Sequence, residues 1–269
     1  MEKTKILFVT QDITPFMKDS HMGLISRHLP QGIQERGREI RTFMPRFGNI
    51  NERRNQLHEV IRLSGMNLII DDTDHSLIIK VASIQQARMQ IYFIDNEDYF
   101  HRKYVYRDKN NAFFEDNDER TIFFARGVLE TVKKLGWSPD IVHCHGWMSA
   151  LTPLYLKKVY YENPLFSAAK VVLSIYDDDF AEPLHANLQA KLKHENFALK
   201  DLKHFKKPDY VSLMKAAIDV SDGVIIASAE INAELAEYVQ QSGKPTLPLQ
   251  SEENYITVYN EFYDKILNK

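Results

Sequence analysis

A doubly wound, mostly parallel α/β sheet of the Rossmann-like kind is the fold this sequence predicts, and three observations predict it. Short apolar runs recur along the chain, each followed by a stretch of helical periodicity. The runs are apolar at consecutive positions, as in strands covered on both faces. Glycines stand where helical stretches stop, at Gly37 and Gly136. Such a sheet places its ligands at the carboxyl ends of the strands.

The elements follow in order. Residues 6–10 form a buried strand, 11–22 a loop, and Leu24, Ile25, Leu29 and Ile33 the apolar stripe of a helix starting at Gly23. A second strand at 40–44 completes a βαβ unit. Residues 57–94 change character: short β-rich runs broken by Ser64-Gly65 and by Asp71, Asp72 and Asp74 predict a meander inserted in the α/β plan, with the aspartates in a charged turn. Helices at 117–135, 147–160, 211–220 and 229–241 alternate with strands at 141–145, 171–176 and 223–227. The stretch 180–207 is polar, shows no clear stripe and reads as partly mobile. Residues 242–250, with Gly243, Pro245 and Pro248, read as a linker. The apolar positions from Tyr255 to Leu267 form a continuous helical stripe that needs a surface to cover, and the domain itself is the expected surface. The predicted organisation is therefore a domain at 1–241, a linker at 242–250 and a closing helix at 251–269.

Composition excludes several classes. With 269 residues, 44% hydrophobic and 26% charged, the chain can bury a sizeable core. A net charge of −3 with scattered Lys and Arg offers no field for nucleic acid or anionic lipid. No apolar run approaches a membrane span, and Met1-Glu2-Lys3 leads into a strand, unlike a signal peptide. The single cysteine, Cys144, excludes an intrachain disulfide and fits a reducing cytoplasm.

Three strand ends carry candidate chemistry. The loop Thr14-Pro15-Phe16-Met17-Lys18-Asp19-Ser20-His21-Met22-Gly23 leads into a helix N-terminus, where free NH groups and the helix dipole favour an anion. It holds one glycine, few for close approach to a phosphate, and a solvated surface loop is the competing reading. His143-Cys144-His145 places two imidazoles on one face of a strand, either as metal ligands or, more simply, hydrogen-bonded near the core. Asp177-Asp178-Asp179 reads first as a solvated loop, then as a cation site, last as a source of a catalytic acid.

These stretches resemble the ADP-glucose-dependent glycogen and starch synthases. The family's first loop reads Pro-Phe-x-Lys-Thr-Gly-Gly-Leu-Gly-Asp; Pro15, Phe16, Lys18 and Gly23 match, Ser20-His21 replace the glycine pair and Leu24 replaces the aspartate. Tyr92-Phe93-Ile94-Asp95-Asn96, Glu119-Arg120 and the run Leu135-Gly136-Trp137-x-Pro139-Asp140-Ile141-Val142-His143-Cys144-His145 continue the match. In the family's His-x-His-Asp-Trp-His segment, Gly146 replaces aspartate and Met148 replaces histidine; in its Thr-Ile-His-Asn segment, Tyr176 replaces histidine and Asp177 asparagine.

The resemblance implies one half of a GT-B type glycosyltransferase, with a C-terminal helix crossing back onto the domain. It implies a nucleotide sugar and an α-glucan as ligands, with Lys18, Gly23 and His145 as substrate-binding residues. No catalytic residue is assigned, and neither a metal nor a cofactor is expected. The family's second domain has no room here, so a protein partner supplying it is a further expectation. Added Cβ atoms and the His21 ring should narrow the donor loop. Three readings result: a transferase domain inactive on its own, a noncatalytic glucan-binding or regulatory module, and a cation-dependent sugar or nucleotide enzyme using the aspartates.

Overall fold

The computed structural model describes residues 3–268; Met1, Glu2 and Lys269, at the outer limits of the sequence-based boundaries, lie outside the described residues. The elements run β1 (Lys5–Thr10), α1 (His21–Glu35), β2 (Glu39–Pro45), β3 (His58–Glu59), β4 (Met66–Ile70), β5 (Thr73–Ile84), β6 (Met89–Asp95), α2 (Glu97–Phe100) and α3 (Asn117–Leu135). The second half continues with β7 (Ile141–His145), α4 (Leu151–Lys158), β8 (Lys170–Ile175), α5 (Leu188–His194), α6 (Tyr210–Val220), β9 (Gly223–Ile226), α7 (Ala233–Gln241), β10 (Thr246–Leu247) and α8 (Tyr255–Leu267).

Among the described residues the sheet order is β10-β9-β8-β7-β1-β2-β6-β5-β3, with β4 paired to β5. Neighbours from β10 to β6 are parallel, whereas β5 runs antiparallel to β6, β3 and β4. The β-rich insertion at 57–94 is thus a meander that closes one edge of a doubly wound sheet. Both faces are covered, which is why the strands read as continuous apolar runs. Leu7, Val9, Val142 and Leu173 point into the larger core with α3, α4 and α6. Ile6, Phe8, Ile141, Val172 and Ile225 point the other way, beneath α1 and α8.

Helix α8 is the lid of that second core. Tyr255, Tyr259, Phe262, Tyr263 and Ile266 are all buried there against Ile25, Leu29 and Ile33 of α1. Two glycines let it approach. A Cβ on Gly32 would meet Ile256 Cγ2 at 2.6 Å, and one on Gly223 would meet Ile266 Cδ1 at 2.7 Å and Phe262 Cζ at 2.9 Å. Arg38 ties the outer side, donating to Asn260 Oδ1 at 2.6 Å and pairing with Asp264 at 2.8 Å.

Three expectations need correction. Residues 180–207 are packed: Leu184, Leu188, Leu192, Phe197, Leu202 and Phe205 are buried, and Lys191 pairs with buried Asp118 at 2.8 Å. Their spacing spans a short α-helix, a loop and the 3-10 turn Leu199–Lys206, so no single helical period shows. The segment 242–250 joins the sheet through β10, parallel to β9. The helices expected at 147–160 and 229–241 are shorter: Trp147–Ser149 forms a 3-10 turn before α4, and α7 starts at Ala233, capped by the Asn232 side chain.

Candidate functional site

The carboxyl ends of β1, β8 and β9 border a cavity of about 320 Å³. It lies where β1 borders β7, with loops leaving in opposite directions, the usual place for a ligand in an open α/β sheet. Gln11, Asp12, Ser20 and His21 line it from the β1–α1 loop, Tyr176, Asp177 and Asp178 from the end of β8, and Tyr106 from the segment before α3. No lysine or arginine is among its lining residues.

The β1–α1 loop is bound to itself. Ser20 is the N-cap of α1: its Oγ accepts from Gly23 N at 2.9 Å and donates to Asp12 Oδ2. Serine is a preferred residue there because its oxygen satisfies an orphan helix NH. The Gly23 carbonyl accepts from Thr14 N at 3.2 Å, so the loop folds back over the helix start. A Cβ on Gly23 would stand 3.1 Å from oxygens of Asp12, Ser20 and Thr14, which explains the glycine by close packing. His21 spans the cavity mouth, its Nε2 2.8 Å from the Ala227 carbonyl and its ring edge-on to Tyr176.

The second helix start, after β7, is closed in the same way. Trp147 N donates to Asp178 Oδ2 at 3.0 Å and Met148 N to Gln11 Oε1 at 2.8 Å. Gln11 Nε2 in turn donates to Asp178 Oδ2 at 3.3 Å, and Tyr210 OH donates to Asp178 Oδ1 at 2.9 Å. Gly146 turns the backbone at φ 77°, and a Cβ there would meet the Gln11 amide oxygen at 2.5 Å. An aspartate at this position, as in the resembling segment, would displace Gln11.

The acidity of the cavity is set by enclosure. Burial pushes the Asp178 carboxyl up to about 6 against the lowering effect of the Trp147 and Tyr210 donors. Burial also raises Asp12, again partly offset by Ser20. Asp177 and Asp179 are exposed, as a solvated loop requires, but Asp178 is turned inward and engaged by three donors. Among the described residues no group of three or more His, Cys, Asp or Glu side chains is arranged to hold a metal ion.

None of the three residues expected to bind substrate lines the cavity. Lys18 is exposed and lies outside the cavity lining. Gly23 is buried, with its NH used by Ser20. His145 is fully buried; its Nδ1 is 2.8 Å from Tyr176 OH, while Nε2 has no hydrogen-bond partner among the described residues. Its neighbour His143 sits between Tyr263 OH at 2.6 Å and Ser174 Oγ at 2.8 Å. Burial lowers both imidazoles, His145 to about 3, so both are neutral. Tyr176 thus covers His145 on the cavity side. Sequence reasoning missed Gln11 and the inward turn of Asp178; the only signal was an amide directly after a strand, at the head of a loop without glycine before α1.

The family described as starch synthase catalytic domain matches residues 5–245. The chain belongs to this family. Curated relatives include the glycogen synthase of Chlorobium limicola, 41% identical over 174 residues, covering 64% of this chain and 36% of the relative. That of Chlorobium phaeobacteroides is 39% identical over 174 residues with the same coverage. The chain therefore spans about a third of the length of the curated relatives it matches. Among solved structures, the catalytic domain of starch synthase IV from Arabidopsis thaliana, bound to ADP and acarbose, superposes with a TM-score of 0.72 at 17% identity, covering 93% of this chain and 52% of that one. The shared fold is that of a GT-B glycosyltransferase domain. Against the starch synthase pattern, the substitutions at Ser20, His21, Gly146 and Tyr176 all fall on the walls of one cavity or directly behind them.

Proposed function

We propose that this chain is a noncatalytic starch synthase-fold domain: a glucan-binding or regulatory module that by itself does not transfer glucose from ADP-glucose. The observation that carries this reading is that three backbone NH groups beside the cavity, those of Gly23, Trp147 and Met148, are taken by the chain's own Ser20, Asp178 and Gln11 side chains. A diphosphate would have to displace them and enter a cavity lined by Asp12, Asp177 and Asp178 without a cationic side chain. Like charges at close range in partly desolvated surroundings repel strongly. Transfer with a diphosphate leaving group needs the opposite, preorganised donors and positive charge.

Radiolabelled ADP-glucose with a glycogen primer and the purified chain tests it. No incorporation above background is expected, and incorporation would overturn the reading. Replacing Ser20 and His21 by glycine and Leu24 by aspartate is expected to leave turnover absent, since Gln11 and Asp178 still close the second helix start. A second reading, glucosyl transfer to the nonreducing end of an α-1,4-glucan with a partner supplying the other half, is favoured by Lys18, exposed and without an ion pair among the described residues. Under it, Lys18→Ala weakens ADP-glucose binding by about 1–3 kcal/mol, the range for a charge-assisted hydrogen bond.

A further inference from the structure

We infer that the outer face of the 3-10 turn Leu199–Lys206 docks the β4–β5 hairpin of a second copy of this chain, and reciprocally, in a two-fold dimer. The inference goes beyond the reading of the cavity and does not depend on it.

The turn sorts its side chains by period. At three residues per turn, positions i and i+3 fall in one row. Leu202 and Phe205 form the buried row. Asp201 and His204 form a second, held within the chain by Lys158 at 2.8 Å and Asp219 at 2.9 Å. Lys200, Lys203 and Lys206 form the third row, exposed and repeating at about 6 Å. Lys203 shares Asp219 with His204 and Tyr238, while the Lys200 and Lys206 side chains make no hydrogen bond or ion pair among the described residues.

The hairpin carries the complement. Asp71 and Asp72 make its two-residue turn, and Asp74 stands on β5 opposite Ile69. All three carboxylates are exposed, and none makes a hydrogen bond or ion pair among the described residues. Asp72 and Asp74, two residues apart on extended chain, repeat at about 7 Å, close to the pitch of the lysine row. Each charged element also shows one aliphatic side chain to solvent. Ile69, 58% exposed, is the cross-strand neighbour of Asp74, and Leu199, 59% exposed, precedes Lys200.

The two elements adjoin on the molecule. Arg126 Nη1 donates to the Ile69 carbonyl and, at 2.8 Å, to Glu195 Oε1 at the end of α5. Helix α5 in turn holds the 3-10 turn, with Gln189 Nε2 donating to the Leu202 carbonyl at 2.9 Å. A surface on which acidic and basic elements adjoin without pairing to each other is self-complementary about a two-fold axis, because acid then meets base twice. The neighbouring aspartates also weaken the field that a nucleic acid or an anionic membrane would need, so a second copy fits this face better than a polyanion.

The test is sedimentation of the purified full chain at about 50 mM and about 500 mM salt, between which the Debye length falls about threefold. A dimer is expected at low salt and its dissociation at high salt. Lys200→Glu with Lys206→Glu, or Asp72→Lys with Asp74→Lys, should each raise the dimer dissociation constant at least about tenfold by setting like charges opposite one another. Asp71 is left in place because its φ of 54° suits aspartate. Mixing the two variants should restore a dimer, since acid again meets base at both contacts, and this recovery separates lost charge pairing from misfolding. A wild-type chain that stays monomeric at low salt, a dimer untouched by either pair of substitutions, or a mixture that fails to associate would overturn the proposal.

Discussion

Gly146 shows how the absence of one side chain leaves room for the Gln11 amide beside the cavity. Its positive φ and the Gln11 amide beside it leave no room for the aspartate of the resembling segment. Gly146→Asp should therefore destabilise the fold by about 1–3 kcal/mol, through backbone strain and overpacking, rather than restore a family contact; urea unfolding measures it, and a neutral or stabilising result would contradict it. The two buried histidines make a pH prediction. Both bind protons less well folded than unfolded, His145 near 3 and His143 also well below the ordinary 6.5. Their contribution is thus fully present above about 6.5 and lost as pH falls below it, at a slope of up to about 1.4 kcal/mol per pH unit for each. His145→Gln should reduce that acid slope in denaturation curves taken from pH 7.5 to 4. Asp178 acts oppositely. Its folded carboxyl holds a proton up to about 6, so its contribution declines as pH rises from the ordinary carboxylate range of 3.8 toward 6, and carboxyl NMR should show the midpoint there. Part of this was legible: hydrogen-bonded core histidines were one of three readings of His143-Cys144-His145, beside metal ligands and a sugar contact by His145. Which partners hold them was not, because Tyr176 and Tyr263 are 31 and 120 residues away.

Among the elements, α8 carries the clearest energetic consequence. Phe262 is 4% exposed and wedged against Gly223, so Phe262→Ala should cost about 3–5 kcal/mol. Gly223→Ala tests the same contact from below and should cost about 1–3 kcal/mol, since an aromatic ring cannot yield as a flexible chain end would. Deleting residues after Gln250 should sharply lower the melting temperature; an unchanged value would mean that α8 covers nothing of consequence. The stripe of this helix was readable because its period is regular. The packing of residues 180–207 was not, since Leu188, Leu192, Leu202 and Phe205 come from two elements of different period. The strands were readable almost to their ends, for a strand buried on both faces leaves a run of apolar residues whatever its neighbours are.

At the scale of the molecule, the fold keeps the starch synthase plan while the strand-end cavity departs from it. The parallel strands still converge on a switch point, but the Gly23, Trp147 and Met148 NH groups there are held by Ser20, Asp178 and Gln11. The replacements of Ser20 and His21 in the β1–α1 loop are legible in the sequence; that side chains reach across the cavity is not, because it depends on loops meeting from β1, β7 and β8. The central claim is therefore that a correctly folded chain has a cavity closed to nucleotide diphosphates. Isothermal titration calorimetry of the purified chain with ADP-glucose, run beside ADP and at low ionic strength where any charge attraction is strongest, tests it most directly. No saturable heat is expected with either nucleotide up to millimolar concentration; saturable binding of ADP-glucose that weakens in Lys18→Ala would contradict the account.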